Sequence, residues 1–331
     1  MNRTLRSAQD LAAAGLVTPA RGAEIAPVEA RYSVAVTPAM AALIAAGAAD
    51  VARQYLPDPA ELVTAPHELD DPTADAPFTP IKGVVHRYPD RALLTPLLAC
   101  PVYCRFGVRR EAEGPDGGLL TEAELDAALD WFAATPAVRE VILTGGDPLI
   151  LSPRRLAHIL ARLSAIPHIE ALRIHSRVPV AEPTRVTAAL LAALTLETPL
   201  YLCVHANAAA EFTPEAGQAL RGLHGAGVVL LGQSVLLRGV NDTPAQLEAL
   251  FRAMLRHRVK PYYLHQLDPA PGTARFHVPE AEGLALLAGL RGRVTGLAWP
   301  TYVREWPEGG GKYPLGMPAM QPGAGQARRS G

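Results

Sequence analysis

From about residue 86 onward, short runs of β-forming apolar residues alternate with amphipathic helical stretches, and this alternation limits the possible folds more than any other feature. Three of the helical stretches begin with a capping hydroxyl before proline: Ser152-Pro153, Thr213-Pro214 and Thr243-Pro244. Another begins with a capping box, formed by Thr121 and Glu124. The predicted strands are residues 92–98, 140–144, 171–176, 200–205, 228–237 and 261–267.

Apolar strands joined through helices predict a parallel sheet covered by helices, which is an α/β fold. Six such units give an open, partial (β/α)6 barrel, because a complete eight-fold barrel would need about two more units. The last segment, residues 299–320, is rich in glycine and proline and is predicted to add no further strand. Polar or glycine-containing clusters follow most predicted strands, and in barrels such strand ends face one cavity. These clusters are residues 100–110, 145–147, 175–177, 205–207, 238–242 and 268.

The chain is predicted to have three parts. Residues 1–85 form an N-terminal helical cap and connector, in which prolines such as Pro19, Pro27 and Pro38 break the chain into helical turns. Within this part, the proline- and aspartate-rich stretch 56–83 is the connector. Residues 86–320 form the partial barrel, and residues 321–331 form a small, polar, disordered tail.

Composition narrows the class of partners. The 31 basic and 32 acidic residues leave a formal net charge of -1, which gives no electrostatic case for nucleic acid or an anionic membrane. Three cysteines in 331 residues are not a disulfide framework, so a reducing cytoplasm is the predicted location. The N-terminus lacks the apolar core of a secretion signal, and no stretch of eighteen apolar residues suggests a membrane span.

Two of the three cysteines, Cys100 and Cys104, lie just after the first predicted strand, where two thiols can converge on one metal centre. A third cysteine at position 107 would complete the spacing C-x3-C-x2-C, but this residue is Gly107. Taken alone, such features have plain structural interpretations. The two thiols could be small buried residues, Gly145-Gly146 a tight turn, and His175 a core histidine.

Taken together and in this order, these stretches resemble the lysine 2,3-aminomutase family of radical S-adenosylmethionine (SAM) enzymes. The resemblance includes the short bacterial members that make β-lysine for elongation factor P. It covers about residues 86 to 315, in family order. The matching stretches are residues 86–91, 100–110, 143–148, 173–179, 232–242, 262–268 and 309–314.

The resemblance implies an isomerase that uses a [4Fe-4S] cluster, SAM and pyridoxal 5'-phosphate (PLP), with a cellular one-electron reductant. Cys100 and Cys104 would be two of three cluster ligands. The glycines and carboxylate of Gly145-Gly146-Asp147 would bind the SAM amino group, and Ser176 and Arg177 fall at further SAM contacts. The reaction implied is conversion of L-lysine to β-lysine.

The resemblance also assigns the PLP and substrate residues. Lys312 falls on the lysine that forms a Schiff base with PLP, on a loop. Arg109 matches the arginine for the substrate carboxylate, and Asp268 and Glu305 match carboxylates for the distant ammonium of lysine. The residues that match a clamp for the PLP phosphate and ring are Arg87, Tyr88 and Arg91.

Gly107 is the departure from the family pattern, and it predicts a labile cluster or none, because glycine supplies no thiolate. Cys203 and His175 are not convincing replacements: the first is expected to be buried, and the second lies at a strand end that the family uses for SAM. Three explanations stay open: a degenerate paralogue, a Cys→Gly variant, or an unusual cluster. The alternative function is a catalytically silent barrel that binds PLP or an amino acid as a scaffold or regulator.

The substrate also stays open between free lysine and lysylated elongation factor P. Because the chain ends soon after Lys312, the elongation factor P branch is the expected one. A homo-oligomeric state is compatible with the sequence and not required by it.

Overall fold

The computed structural model describes residues 3–107, 118–306 and 311–316. These residues contain one nine-stranded sheet whose strands follow each other in chain order. Strands β2 to β8 pair in parallel, whereas β1 is antiparallel to β2 and β9 is antiparallel to β8. The strands are β1 (Val84–Tyr88), β2 (Arg91–Leu97), β3 (Glu140–Gly145), β4 (Ala171–Ser176), β5 (Leu200–His205), β6 (Val229–Val235), β7 (Lys260–His265), β8 (Thr301–Trp306) and β9 (Gly311–Pro314).

The helices pack on the sheet and on the N-terminal region. Thr121 and Glu124 form the predicted capping box, and the hydroxyls of Ser152, Thr213 and Thr243 each accept a backbone N–H in the first turn of a helix. The helices are α1 (Ala8–Ala13), α2 (Pro19–Arg31), α3 (Pro38–Ala45), α4 (Ala49–Tyr55), α5 (Glu122–Ala133), α6 (Pro153–Ser164), α7 (Val178–Ala181), α8 (Ala188–Ala193), α9 (Pro214–Gly225), α10 (Pro244–Arg256) and α11 (Glu280–Ala288).

The prediction of an α/β partial barrel with six strand–helix units is confirmed, because all six predicted strands are present and parallel. The core lies between the sheet and its helices and includes Leu94, Leu143, Leu202, Phe251 and Tyr302. The prediction that residues 299–320 add no strand is wrong. This segment supplies β8, which continues the parallel sheet, and β9, which pairs back on it. Lys312 therefore lies on a strand rather than on a loop.

The two edge strands of the sheet, β1 and β9, approach each other through side chains. The hydroxyl of Tyr88 on β1 accepts a hydrogen bond from the backbone N–H of Lys312 on β9, at 2.6 Å. Arg87 on β1 forms an ion pair with Glu305 on β8, at 2.6 Å. These contacts bring the barrel close to closure at the point where backbone pairing ends.

The N-terminal region packs on the loop that carries the first two cysteines, residues 100–107, which we name the cysteine loop. The backbone N–H of Tyr103 donates to Ala35, and that of Arg105 donates to Gln54, both at 2.9 Å. The prediction that prolines break the helices here is wrong at Pro27, which lies inside α2. The division at residue 85 falls inside β1, and the three-part organisation stays a prediction.

No helix within the described ranges is long and apolar enough to cross a membrane.

Candidate functional site

One cavity of about 780 Å³ gathers the predicted site residues at the carboxyl ends of the parallel strands and along β1 and β9. This volume lies in the usual range for ligand pockets. Arg109, the predicted partner of the substrate carboxylate, lies outside the described residues. The other predicted site residues all line the cavity: Arg87, Tyr88, Arg91, Cys100, Cys104, Gly145, Gly146, Asp147, Ser176, Arg177, Asp268, Glu305 and Lys312.

The lysine side of the cavity is a connected set of charges on β1, β8 and β9. The Nζ atom of Lys312 lies 2.7 Å from Oε2 of Glu305, while Nη1 of Arg87 lies 2.6 Å from Oε1 of the same carboxylate. The Arg87 and Glu305 side chains are only 6% and 9% exposed. Arg87 also bonds to Asp75 at 3.0 Å and to the carbonyl of Thr73. Glu305 therefore lies between two cations. Because the Arg87 guanidinium already bonds to Glu305, Asp75 and Thr73, it is not the group expected to bind the PLP phosphate.

Gly311 lets β9 approach Tyr88. Its φ of +69° lies in the left-handed region, and a Cβ atom here would overlap the Tyr88 hydroxyl. The guanidinium of Arg91 lies 3.6 Å from the centre of the Tyr88 ring, a cation–π contact. Tyr88 and Arg91 therefore form the wall beside Lys312.

Lys312 is the lysine that lines this cavity. The other lysines of the chain are Lys82, which pairs with Glu124 on the surface, and Lys260, which bonds to the carbonyls of Pro261 and Trp299. An amine able to form an imine beside an arginine and a tyrosine fits PLP. The residues present therefore fit this cofactor.

Packing favours glycine at positions 145 and 146 independently of any ligand. Gly145 has a φ of +101°, and a Cβ atom at Gly146 would overlap the carbonyl of Ala99. The backbone N–H of Gly146 bonds to Leu97 at 2.9 Å. These glycines allow the end of β3 to lie directly against the start of the cysteine loop.

Asp147 is buried and its carboxylate organises two neighbouring turns. Oδ1 accepts from the N–H of Leu149 at 3.1 Å, and Oδ2 accepts from the N–H groups of Arg177 and Val178 at 2.7 and 3.2 Å. Burial raises the pKa of Asp147, and these donors oppose the rise. The Asp147 carboxylate therefore holds two turns of the cavity wall in place and also lines the cavity itself.

The side chain of Arg177 is held inside a buried polar network. It pairs with Glu211 at 2.9 Å, bonds to Gln54, and directs Nη1 towards Sγ of Cys104 at 3.0 Å. The sequence contained no signal for Gln54 or Glu211 in this role, because α4 and the segment after β5 are distant in the chain. The backbone of Arg177 contacts Asp147, whereas its guanidinium contacts a cysteine.

The cysteine loop is also anchored by Arg105, in addition to the contact between Arg177 and the Cys104 thiol. Arg105 and Glu61 are both fully buried and pair through the Arg105 Nε at 2.9 Å. A Cβ atom at Gly107 would lie 3.2 Å from the carbonyl oxygen of Cys104 and 3.9 Å from its Cβ, so a small shift would admit a side chain there. Within the described part of the chain, no three metal-binding side chains converge. The residues present do not fit a cluster that needs three thiolates.

Three histidines line the cavity, namely His175, His205 and His265. Among the described residues, Nε2 of His175 and of His205 are buried without a hydrogen-bond partner. Burial lowers the pKa of both well below the usual range. Burial and the charge of Lys312 lower the pKa of His265 to about 3. The clusters after the predicted strands include His175 and His205, whereas His265 lies within a predicted strand and was missed.

Cys203 is buried on β5, and burial raises the pKa of its thiol to about 11. A buried, neutral thiol is a poor metal ligand, which agrees with its interpretation as a small core residue.

The fold and the cavity define a barrel-type α/β protein with its polar site at the carboxyl ends of parallel strands. A putative L-lysine 2,3-aminomutase of Treponema pallidum (strain Nichols) is 36% identical over 290 residues, covering 86% of this chain and 82% of the relative. The L-lysine 2,3-aminomutase of Clostridium subterminale is 41% identical over 265 residues, covering 80% of this chain and 64% of the relative. The chain belongs to the lysine 2,3-aminomutase family.

A glutamate 2,3-aminomutase of Clostridioides difficile (strain 630) is 34% identical over 266 residues, covering 78% of this chain and 63% of the relative. The chain spans less than two thirds of several relatives, including 62% of the L-lysine 2,3-aminomutase of Fusobacterium nucleatum. A radical SAM methyltransferase structure from Sphaerobacter thermophilus aligns with a TM-score of 0.47 at 19% identity, covering 67% of this chain and 68% of that chain. No protein-family model matches the chain.

Proposed function

We propose that this protein is a PLP-dependent aminomutase of the radical SAM type that converts L-lysine to β-lysine, or the descendant of such an enzyme with an incomplete cluster site. The observation that carries the proposal is the gathering of Lys312, Asp268 and Glu305 in one cavity with Cys100 and Cys104. In this proposal the amine serves the cofactor and the two carboxylates serve a basic substrate, as the family resemblance implies.

PLP, when bound to Lys312, would supply an electron-withdrawing ring conjugated to the substrate nitrogen. Arg91 and Tyr88 are the groups best placed for its phosphate and ring, because they contact each other in the cavity wall. Arg87 contributes by holding Glu305, since its donors already serve Glu305, Asp75 and Thr73. Glu305 becomes available to another cation when the amine of Lys312 is engaged by the cofactor.

Two carboxylates of the cavity wall favour lysine over glutamate. Asp268 and Glu305 would attract a distal ammonium and repel a distal carboxylate. The substrate α-carboxylate is assigned to Arg109 through the resemblance. This preference matches the L-lysine 2,3-aminomutase relatives rather than the glutamate 2,3-aminomutase of Clostridioides difficile.

SAM is assigned to the turn Gly145-Gly146-Asp147 and to Ser176, with the guanidinium of Arg177 acting on Cys104 instead. Cys100 and Cys104 provide two thiols, and glycine at 107 removes the third. We therefore assign no reaction step to a cluster in this chain and expect iron to bind weakly.

The finer assignments belong to the same proposal. They are a cytoplasmic location, a one-electron reductant, and a place in the elongation factor P branch, with free lysine or lysylated elongation factor P as substrate. Mass spectrometry of both candidate substrates after incubation with the Gly107→Cys variant would separate them. If β-lysine forms from free lysine and not from lysylated elongation factor P, the protein-attached lysine is excluded as the substrate.

A second function is favoured by Gly107 alone: a silent barrel that binds PLP or an amino acid as a scaffold or regulator. The deciding experiment adds PLP, lysine, SAM and dithionite to the anaerobically reconstituted unchanged chain and to its Gly107→Cys variant. A PLP absorbance band that shifts with lysine, together with deoxyadenosine and β-lysine, supports the aminomutase. The same shift without SAM cleavage supports the silent barrel, and no lysine-dependent shift contradicts both.

A further inference from the structure

The connector, residues 56–83, contacts several parts of the cavity wall that are far apart in sequence. Glu61 pairs with Arg105 of the cysteine loop at 2.9 Å and lies 3.3 Å from Arg275, which follows β7. Asp75 pairs with Arg87, which in turn holds Glu305. A segment that composition marked only as a linker therefore touches the cysteine side and the lysine side of the cavity.

Glu68 is the point at which the connector binds the loop after β7. Its Oε1 accepts from the backbone N–H groups of Thr273 and Ala274, at 2.8 and 2.7 Å. Its Oε2 accepts from the N–H groups of Gly272 and Ala65, at 2.9 and 2.7 Å. One carboxylate thus satisfies four backbone donors, three of them from a single turn.

This turn is bonded back to Asp268 through a short chain of contacts. The hydroxyl of Thr273, which is buried, donates to the carbonyl of Ala270 at 2.7 Å. The N–H of Ala270 donates to the carbonyl of Asp268 at 2.9 Å, and the N–H of Leu69 donates to the carbonyl of Pro269 at 2.7 Å. The backbone on which Asp268 stands is therefore held on one side by the sheet, where the N–H of Gln266 donates to Val303 of β8, and on the other side by the connector.

We infer that Glu68 is a positioning residue for Asp268 and that it sets the preference of the site for a substrate with a distal ammonium. The inference rests on the proposed function, in which Asp268 receives that ammonium. A charged acceptor bound by four N–H groups is specific, because an amide in its place turns NH2 towards two backbone donors. Asp268 would then lose its fixed backbone while the PLP residues on β1, β8 and β9 keep theirs.

The test compares Glu68→Gln with the unchanged chain, both loaded with PLP, using lysine and norleucine as ligands. Norleucine has the same carbon chain without the distal ammonium. The unchanged chain is expected to prefer lysine, and Glu68→Gln is expected to weaken lysine binding about tenfold while norleucine and PLP affinities hold. Glu248→Gln, which replaces a partly buried glutamate on α10 that pairs with Arg252 and Arg293, is the matched control and should keep the preference.

An unchanged preference for lysine in Glu68→Gln would overturn the inference, and so would an equal loss of both ligands, which marks a structural role only. If Glu68→Gln does not fold, Glu68→Asp decides. It keeps the acceptors but withdraws them by one methylene, so lysine binding should fall and norleucine binding should not. An unchanged chain that binds no lysine at all would instead overturn the proposed function and, with it, this inference.

Discussion

The lysine side of the cavity and its cysteine side are built in different ways. On the lysine side, the functional groups support each other directly, since Glu305 bonds to both Lys312 and Arg87, and Tyr88 bonds to the backbone of Lys312. On the cysteine side, the loop is held by Arg105 and by backbone bonds to the N-terminal region. These contacts do not involve residue 107, so glycine at 107 removes a ligand without removing any of them.

The largest expected effect tests the lysine side. Lys312→Ala should abolish the PLP imine absorbance, because no other lysine of the chain lines the cavity. Lys82→Ala, a surface lysine paired with Glu124, is the matched control and should keep the band. An undiminished band in Lys312→Ala would show that PLP attaches elsewhere. It would contradict the assignment of the PLP site to the lysine side of the cavity.

A smaller effect is expected at Gly311, which brings β9 against Tyr88. Gly311→Ala should weaken PLP binding about tenfold, because the new methyl group displaces the Tyr88 hydroxyl from Lys312. Gly227→Ala is the matched control: its φ of +85° is also left-handed, yet a Cβ atom there meets nothing within 4 Å. Both variants should lose about 1–2 kcal/mol of unfolding free energy through backbone strain. Equal PLP affinity in the two variants would contradict the role of Tyr88.

The smallest expected effect uses one histidine from each side as a reporter. After burial, the charge of Lys312 depresses the pKa of His265, whereas that of Arg177 depresses the pKa of His205. A histidine with a lowered folded-state pKa binds fewer protons folded than unfolded, so stability falls as pH falls below about 6.5. From pH 7.5 to 5.5 each should cost about 1.4 kcal/mol of unfolding free energy.

Urea unfolding at the two pH values measures this loss. His265→Gln and His205→Gln should each reduce it by about 1.4 kcal/mol. His224→Gln, on the exposed surface of α9, is the matched control for loss of a histidine. If His265→Gln loses as much unfolding free energy between the two pH values as the unchanged chain, the burial argument fails on the lysine side. The same result for His205→Gln would contradict the burial argument on the cysteine side.

The sequence predicted the parallel strands and their helices because Ser/Thr-Pro starts and apolar runs are local signals. It missed β1 and β9 because short edge strands containing arginine or glycine lack that signal, and it missed β8 because this strand lies in a segment rich in glycine and proline. Pro27 was misjudged because its place within α2 is decided by tertiary packing around Ile25 and Val28, which are buried.

The candidate site shows the same division. The strand-end motifs predicted a shared cavity for Cys100, Cys104, residues 145–147, Ser176, Arg177 and Asp268, because parallel strands bring their carboxyl ends together. The residues assigned through the family resemblance alone were Arg87, Tyr88, Arg91, Glu305 and Lys312. The partners of those residues could not be predicted. Glu68 reaches a turn more than two hundred residues away, and Glu61 reaches Arg105 across 44 residues, so no local pattern contains either contact.

The central claim is that Gly107 alone separates this cavity from a complete cluster site. Anaerobic reconstitution, followed by iron and sulfide analysis of the unchanged chain and of Gly107→Cys, tests it most directly. Residue 107 lies in the same cysteine loop as Cys100 and Cys104. A Cβ atom there would lie 3.2 Å from the carbonyl oxygen of Cys104, so a small shift would admit the thiol. We predict substoichiometric, labile iron in the unchanged chain and a stable [4Fe-4S] cluster in Gly107→Cys. Equal iron content and equal SAM cleavage in the two proteins would contradict the claim.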